Sequence, residues 1–235
     1  VLAKKTSLLL LFLAAGVLTG AEPVADPDPN RFADEIKAFA GWDSKNAVPV
    51  EPVLFVGSSS IRLWRTRECF LDLPVVNRGF GGSHISDVIF FARRIVLPYQ
   101  PKAIVFYAGD NDIAAGKSAR RVLDDYRRFV ALVHAGLPAA RVIFITIKPS
   151  ESRWTLWPEM RKANESIRAF CAEDRRLFFA DLAAPLLGPH DRPNGELFLS
   201  DKLHLNANGY EVWSKALGPI MQKALAPGGI SGSGE

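Results

Sequence analysis

Five short apolar runs recur along the chain: Val53–Val56, Val75–Asn77, Ala103–Ala108, Val142–Ile147 and Leu177–Ala180. Runs of this length, continuous rather than alternating, predict strands buried on both faces. Between them, His84–Leu97, Ala119–Ala135 and Pro158–Glu173 carry apolar residues at three- and four-residue intervals, the signature of amphipathic helices. Ahead of the first strand, Phe32, Ile36, Phe39 and Trp42 share helical spacing within Arg31–Asn46. A last helix is predicted from Ala207 to about Ala224, with Asn206 as its N-cap. Strands that alternate with helices imply right-handed crossovers and a parallel sheet, so the fold class is a three-layer α/β domain. In such sheets ligands bind beyond the carboxyl ends of the strands, which makes the residues following each strand the ones to inspect. No internal repeat interrupts the pattern.

The chain ends read differently. Lys4 and Lys5, an apolar run from Leu8 to Leu18, and the small residues Thr19 and Ala21 form the pattern of a secretory signal peptide cleaved after Ala21. The expected location is therefore secreted or periplasmic, with no stable membrane insertion after cleavage. The competing reading is an uncleaved anchor, although the run is short beside the roughly 20 residues of a spanning helix. No cysteine follows that would make a lipoprotein site. Residues 22–30, rich in Pro and Asp, read as a linker, 31–226 as one domain, and 227–235 as a disordered tail.

With 235 residues, 48% hydrophobic and 23% charged, the composition suits one domain with a sizeable core. The net charge is +4, and loss of Lys4 and Lys5 would halve it. No dense basic run accompanies that charge, so nucleic acid is not an expected partner. Cys69 and Cys171, the only two cysteines, provide neither a disulfide framework nor a thiolate metal site.

Four polar or glycine-rich clusters lie at the expected functional edge: Gly57-Ser58-Ser59-Ser60, Asn77-Arg78-Gly79-Phe80-Gly81-Gly82-Ser83, Gly109-Asp110-Asn111-Asp112 and Asp201-Lys202-Leu203-His204. Each alone has an ordinary explanation in turns and helix caps. Together they hold one hydroxyl nucleophile, a histidine base with an acid three residues before it, and donors for a developing oxyanion. That is the set ester hydrolysis needs.

In these blocks the sequence resembles the SGNH, or GDSL-type, ester hydrolases. Gly57-Ser58-Ser59 matches the family's Gly-Asp-Ser block, Gly82 its glycine block, Gly109-x-Asn111-Asp112 its Gly-x-Asn-Asp block, and Asp201-x-x-His204 its Asp-x-x-His block, in the family's order. The resemblance implies a five-stranded parallel sheet of flavodoxin-like order 2-1-3-4-5. It implies Ser59 as nucleophile, His204 as general base and acid, and Asp201 as the residue orienting it. It also implies an oxyanion hole from the Ser59 and Gly82 backbone NH groups and the Asn111 side chain, with no cofactor. Position 58 departs from the pattern, with Ser in place of Asp. Ser58 and Ser60 are expected to serve turn and cap hydrogen bonds, and Asp112 to hold its block in shape. The implied strand order would keep Cys69 and Cys171 far apart, as two buried free thiols.

His84 follows the glycine block and is a candidate for the pocket wall, while His134 and His190 lack partner spacing and are expected at the surface. With four histidines and no His-x-His or His-Glu-x-x-His, no metal site is expected. Arg153, Trp154 and Trp157 follow the fourth strand and form either a substrate wall or the packed start of a helix, for which Pro158 is suited. The expected substrate is a small-molecule or carbohydrate ester with a short acyl group. The alternatives are longer acyl chains, as in lysophospholipases and thioesterases of the family, or non-catalytic carbohydrate binding on the same scaffold. A phosphate or nucleotide binder is a further rival, weakened because neither Gly-x-Gly-x-x-Gly nor Gly-x-x-x-x-Gly-Lys occurs in register.

Overall fold

The five apolar runs pair side by side as β1 (Val53–Gly57), β2 (Val75–Gly79), β3 (Ala103–Tyr107), β4 (Arg141–Ile145) and β5 (Leu177–Ala180). The computed structural model describes residues 24–226, and in it these strands form one parallel sheet in the order β2-β1-β3-β4-β5. Gly57 of β1 is in register with Gly79 of β2 and Tyr107 of β3, so the three segments that leave these strands start beside one another.

Alternate residues of each strand serve opposite layers, as the pleat requires. Leu54 and Val56 join Val76, Ile104, Phe106, Val142 and Phe144 in a core covered by α1 (Ala33–Asp43), α4 (Ile85–Ile95), α6 (Ala119–Gly136) and α7 (Trp157–Ala172). Val53 and Phe55 face the other way, with Val105, Tyr107 and Ile143, under α2 (Ser59–Arg62) and α8 (Ala207–Leu225). There Trp64 lies 5.5 Å from Phe55, 5.6 Å from Tyr210 and 5.4 Å from Trp213, centroid to centroid. Each such ring brings roughly 1.5–3 kcal/mol of burial, plus a smaller gain from its edge-on and offset contacts. This cluster fixes α8, and with it the loop just before α8, against the β1–α2 segment.

Three features differ from the pattern-based expectation. The chain forms short helices immediately after strands, at α2, α3 (Thr66–Cys69) and α5 (Asp110–Ala114). Segments of four or five residues are too brief to show a helical period. Cys171 is a buried free thiol, but Cys69, on α3, is exposed. The stretch read as a linker is docked: Asp26 Oδ1 lies 2.7 Å from Lys117 Nζ and its Oδ2 accepts from Arg121 Nη2 at 2.8 Å. Asp28 then caps a 3₁₀ turn at Pro29–Phe32, accepting from the Asn30 NH at 2.9 Å. The signal and tail segments lie outside the described residues, among which no helix is long and apolar enough to cross a membrane.

Candidate active site

β1 leaves the sheet through Gly57, whose φ is 139°. A Cβ there would stand 1.8 Å from the Tyr107 carbonyl oxygen, so only glycine lets the two strands approach this closely at the turn. The Ser58 NH donates to the same carbonyl at 2.9 Å, and Ser59 becomes the first residue of α2.

Ser59 Oγ lies 3.0 Å from His204 Nε2, and His204 Nδ1 lies 2.6 Å from Asp201 Oδ2. The other carboxylate oxygen of Asp201 accepts from the backbone NH groups of Leu203 and His204, each at 2.9 Å. These bonds, the His204 side chain first, pull the Asp201 pKa down to about 2. An ionised Asp201 accepts a hydrogen bond from the Nδ1–H of His204, which leaves Nε2 free to accept from the Ser59 hydroxyl. The loop carrying the pair is closed by the Leu199 NH donating to the His204 carbonyl at 2.8 Å, with Lys202 left-handed at φ 57°. Asn206 caps α8 by accepting from the Gly209 NH at 3.1 Å.

Gly82 and Asn111 arrive from the ends of β2 and β3. A Cβ built on Gly82 would lie 3.9 Å from Asn111 Nδ2, so the loop and the amide are immediate neighbours. Asn111 Nδ2 donates to the Ser83 carbonyl at 3.2 Å, and Asn111 Oδ1 accepts from Arg153 Nη2 at 2.9 Å. Arg153 Nη1 stands 3.2 Å from Asp110 Oδ2, and the buried Lys148 Nζ reaches the same oxygen at 3.6 Å. Burial lowers the Lys148 pKa, opposed by Asp110. Arg153 thus bridges Asn111 and Asp110, and Lys148 approaches the same carboxylate.

Asp112 is structural. Fully buried, it accepts from the Ile85 NH at 3.2 Å and pairs with Lys117 Nζ at 2.8 Å, joining the Asn111 block to the start of α4.

Ser59, His204 and Asp201 therefore form one hydrogen-bonded chain, Gly82 and Asn111, on the segments that leave the two strands flanking β1, form a second cluster with Arg153, and the other candidates are redistributed. His84 is buried, its backbone NH bonded to Asp87 at 2.8 Å and its Nδ1 3.8 Å from Asp112, so it forms part of the scaffold rather than a wall. Trp157 packs in the core under α7, because the side chain at that helix start turns inward. Trp154 stays half-buried, 6.2 Å from Trp157, with the Arg192 guanidinium 4.5 Å from its ring centre. His190 is exposed as expected, but His134 is half-buried, with Nε2 3.1 Å from the Ala140 carbonyl. The hydroxyls of Ser58 and Ser60 are buried with no hydrogen-bond partner, not engaged in capping. Lys148, Asp110 and Lys117 were missed by sequence reading, since a buried lysine leaves no periodic signal and its acid partner is distant or hidden in a loop. Among the described residues, no group of three His, Cys, Asp or Glu side chains converges on a metal position.

Residues 58–212 match the GDSL-like Lipase/Acylhydrolase family, a span that contains Ser59, Gly82, Asn111, Arg153, Asp201 and His204. The chain belongs to this family. Membership in the GDSL-like acylhydrolases places it among ester hydrolases. Solved structures share its fold. A GDSL-like lipase from Bacteroides thetaiotaomicron superimposes with TM-score 0.69 at 21% identity, over 84% of this chain and 98% of that one. A member of the lipolytic G-D-S-L family from Veillonella parvula gives TM-score 0.62 at 18% identity, over 72% and 97%. A carbohydrate esterase family 3 protein from Talaromyces cellulolyticus gives 0.60 at 17%, over 75% and 97%. No significant match was found among curated proteins.

Proposed function

We propose that the protein is a serine ester hydrolase that cleaves short-chain acyl esters, acetyl esters of carbohydrates or small alcohols in particular, through an acyl-enzyme. The observation that carries this reading is the unbroken hydrogen-bonded chain from Ser59 through His204 to Asp201, supported by Gly82 and Asn111, which meet on the segments leaving the two strands that flank β1.

Ser59 Oγ attacks the ester carbonyl as its proton passes to His204 Nε2, and Asp201 stabilises the imidazolium so formed. The carbonyl oxygen becomes an oxyanion facing the Ser59 and Gly82 NH groups and Asn111 Nδ2, where one donor is worth about 3–4 kcal/mol. Collapse expels the alcohol, which takes the proton from His204, and leaves an ester on Ser59. Water, losing a proton to Nε2, attacks that ester, and the acid departs as Ser59 recovers its hydrogen.

The preference for a short acyl group is supported by the paths out of β1 and β3, which enter α2 and α5 within two residues and leave little chain to cover a long tail. The fold shared with a carbohydrate esterase agrees with a sugar ester as substrate. The test is hydrolysis of p-nitrophenyl acetate, butyrate and octanoate by the parent and by Ser59→Ala, with intact mass after a fluorophosphonate probe. Expected are a rate that falls with acyl length, a loss on the order of 10⁴-fold or more in the variant, and one adduct on the parent alone. A folded parent with neither turnover nor adduct would overturn the proposal. Octanoate hydrolysed faster than acetate would overturn the acyl-length part only.

A further inference from the structure

The loop that carries Gly82 is braced by a segment lying ahead of the family match. Glu35, in the first turn of α1, accepts with Oε2 from the Gly81 NH at 3.0 Å. The same oxygen accepts from Arg62 Nη1 at 3.0 Å, and Arg62 ends the helix that Ser59 begins. One carboxylate therefore ties the glycine loop to the nucleophile helix.

Its neighbours act on the same loop. Phe32 packs edge-on against Phe80, centroids 5.1 Å apart, and so close to Gly81 that a Cβ there would meet its ring at 2.3 Å. Gly81 is left-handed at φ 33°, a conformation that fixes the direction of the next peptide, the one bearing the Gly82 NH. Arg31 pairs with Asp87, whose Oδ2 accepts from the His84 NH at 2.8 Å. Asp26 pairs with Lys117, which holds Asp112 on the Ile85 NH. Residues 26–35 thus reach, directly or through one or two side chains, peptide groups on both sides of Gly82.

We propose that the segment Asp26–Glu35 is a positioning element for the oxyanion donors, with Glu35 its decisive contact. The proposal rests on the reading of Gly82 as a donor. Oxyanion donors act only within a narrow range of about 2.7–3.1 Å, so a loop freed to shift by a fraction of an ångström loses rate without losing its fold. Glu35 touches neither nucleophile nor base; it acts through Gly81.

The test compares the full chain with Glu35→Ala, Glu35→Asp and Glu35→Gln. It reads kcat per titrated active site, KM for p-nitrophenyl acetate, and the inhibition constant of an alkyl boronic acid, whose tetrahedral adduct on serine presents an oxygen to the donors. Expected for Ala, and for Asp with its shorter reach, is a kcat about tenfold lower, a boronate constant about tenfold higher, and KM within twofold of the parent. Glu35→Gln keeps an acceptor for the Gly81 NH and restores most of both. A merely structural role would lower the number of titratable sites and leave kcat per site and boronate binding unmoved, and that result overturns the proposal. A parent that neither turns over ester nor binds boronate overturns the esterase reading, and this proposal with it.

Discussion

Arg153 Nη2 donates to Asn111 Oδ1 at 2.9 Å, and this bond decides which end of the amide turns toward the glycine loop. With Oδ1 engaged, Nδ2 is turned toward Ser83 and Gly82, where the proposed mechanism calls for an oxyanion donor. Arg153 is held in turn by Asp110 at 3.2 Å, so the guanidinium plane bridges two groups as a single ammonium could not. Arg153→Ala is expected to lower kcat about tenfold, less than the 10²- to 10³-fold for Asn111→Ala, because the donor remains but turns more freely. Arg153→Lys should recover little. Steady-state kinetics on p-nitrophenyl acetate check this, and a lysine variant at parental kcat would refute the bridging argument.

Gly57 offers a sharper test of the turn itself. Its φ of 139° and the 1.8 Å approach of a Cβ to the Tyr107 carbonyl oxygen leave no room for a side chain without parting β1 from β3. Gly57→Ala should cost more than about 4 kcal/mol, or prevent folding. Gly41, exposed in α1 with nothing within 4 Å of a Cβ, makes the control, and Gly41→Ala should gain about 0.5–1 kcal/mol. Urea midpoints of the two variants settle the comparison, and equal shifts would contradict it.

The sheet was legible because its strands are buried on both faces, so that continuous apolar runs such as Ala103–Tyr107 mark the elements directly. The meeting of Ser59 and His204, 145 residues apart, was legible only through motif resemblance, since no local pattern encodes a contact across the sheet edge. What escaped is of one kind. Apolar periodicity reports that a face is covered, not which charge lies behind it, so the burial of Lys117 against Asp112, Asp125 and Asp26 had no visible signal. For the same reason Trp154 and Trp157 looked equivalent in sequence, although only Trp157 enters the core.

Ser58 and Ser60 flank Ser59 with hydroxyls that are buried and unpartnered. Replacing either by Ala removes a polar atom that makes no bond, so stability should hold or rise by up to about 1 kcal/mol, with turnover retained. Tyr210→Phe is the contrast. Its hydroxyl donates to the Ser60 carbonyl at 2.9 Å in a buried setting, and its loss should cost about 1–1.5 kcal/mol. Urea denaturation and acetate hydrolysis on the three variants provide the readout. A Ser60→Ala variant losing more than Tyr210→Phe would show that the Ser60 hydroxyl carries a bond after all.

Asp112 links the site to the stability of the fold through pH. Burial pushes its pKa up to about 6 against the pull of Lys117, whose charge is shared with Asp125 and Asp26. Because this value lies above that of an unfolded Asp, near 4, the folded chain binds the extra proton between those two limits. Its contribution to stability is therefore greatest below about pH 4, declines as pH rises to about 6, and is flat beyond. The full change is on the order of 3 kcal/mol. Asp112→Asn cannot titrate and should remove that slope, so the difference in unfolding free energy between parent and variant should vary across the window and stay constant from pH 7 to 8. A difference independent of pH throughout would mean that Lys117 keeps Asp112 ionised, and that the glycine loop is tied to α4 by a full ion pair at every working pH.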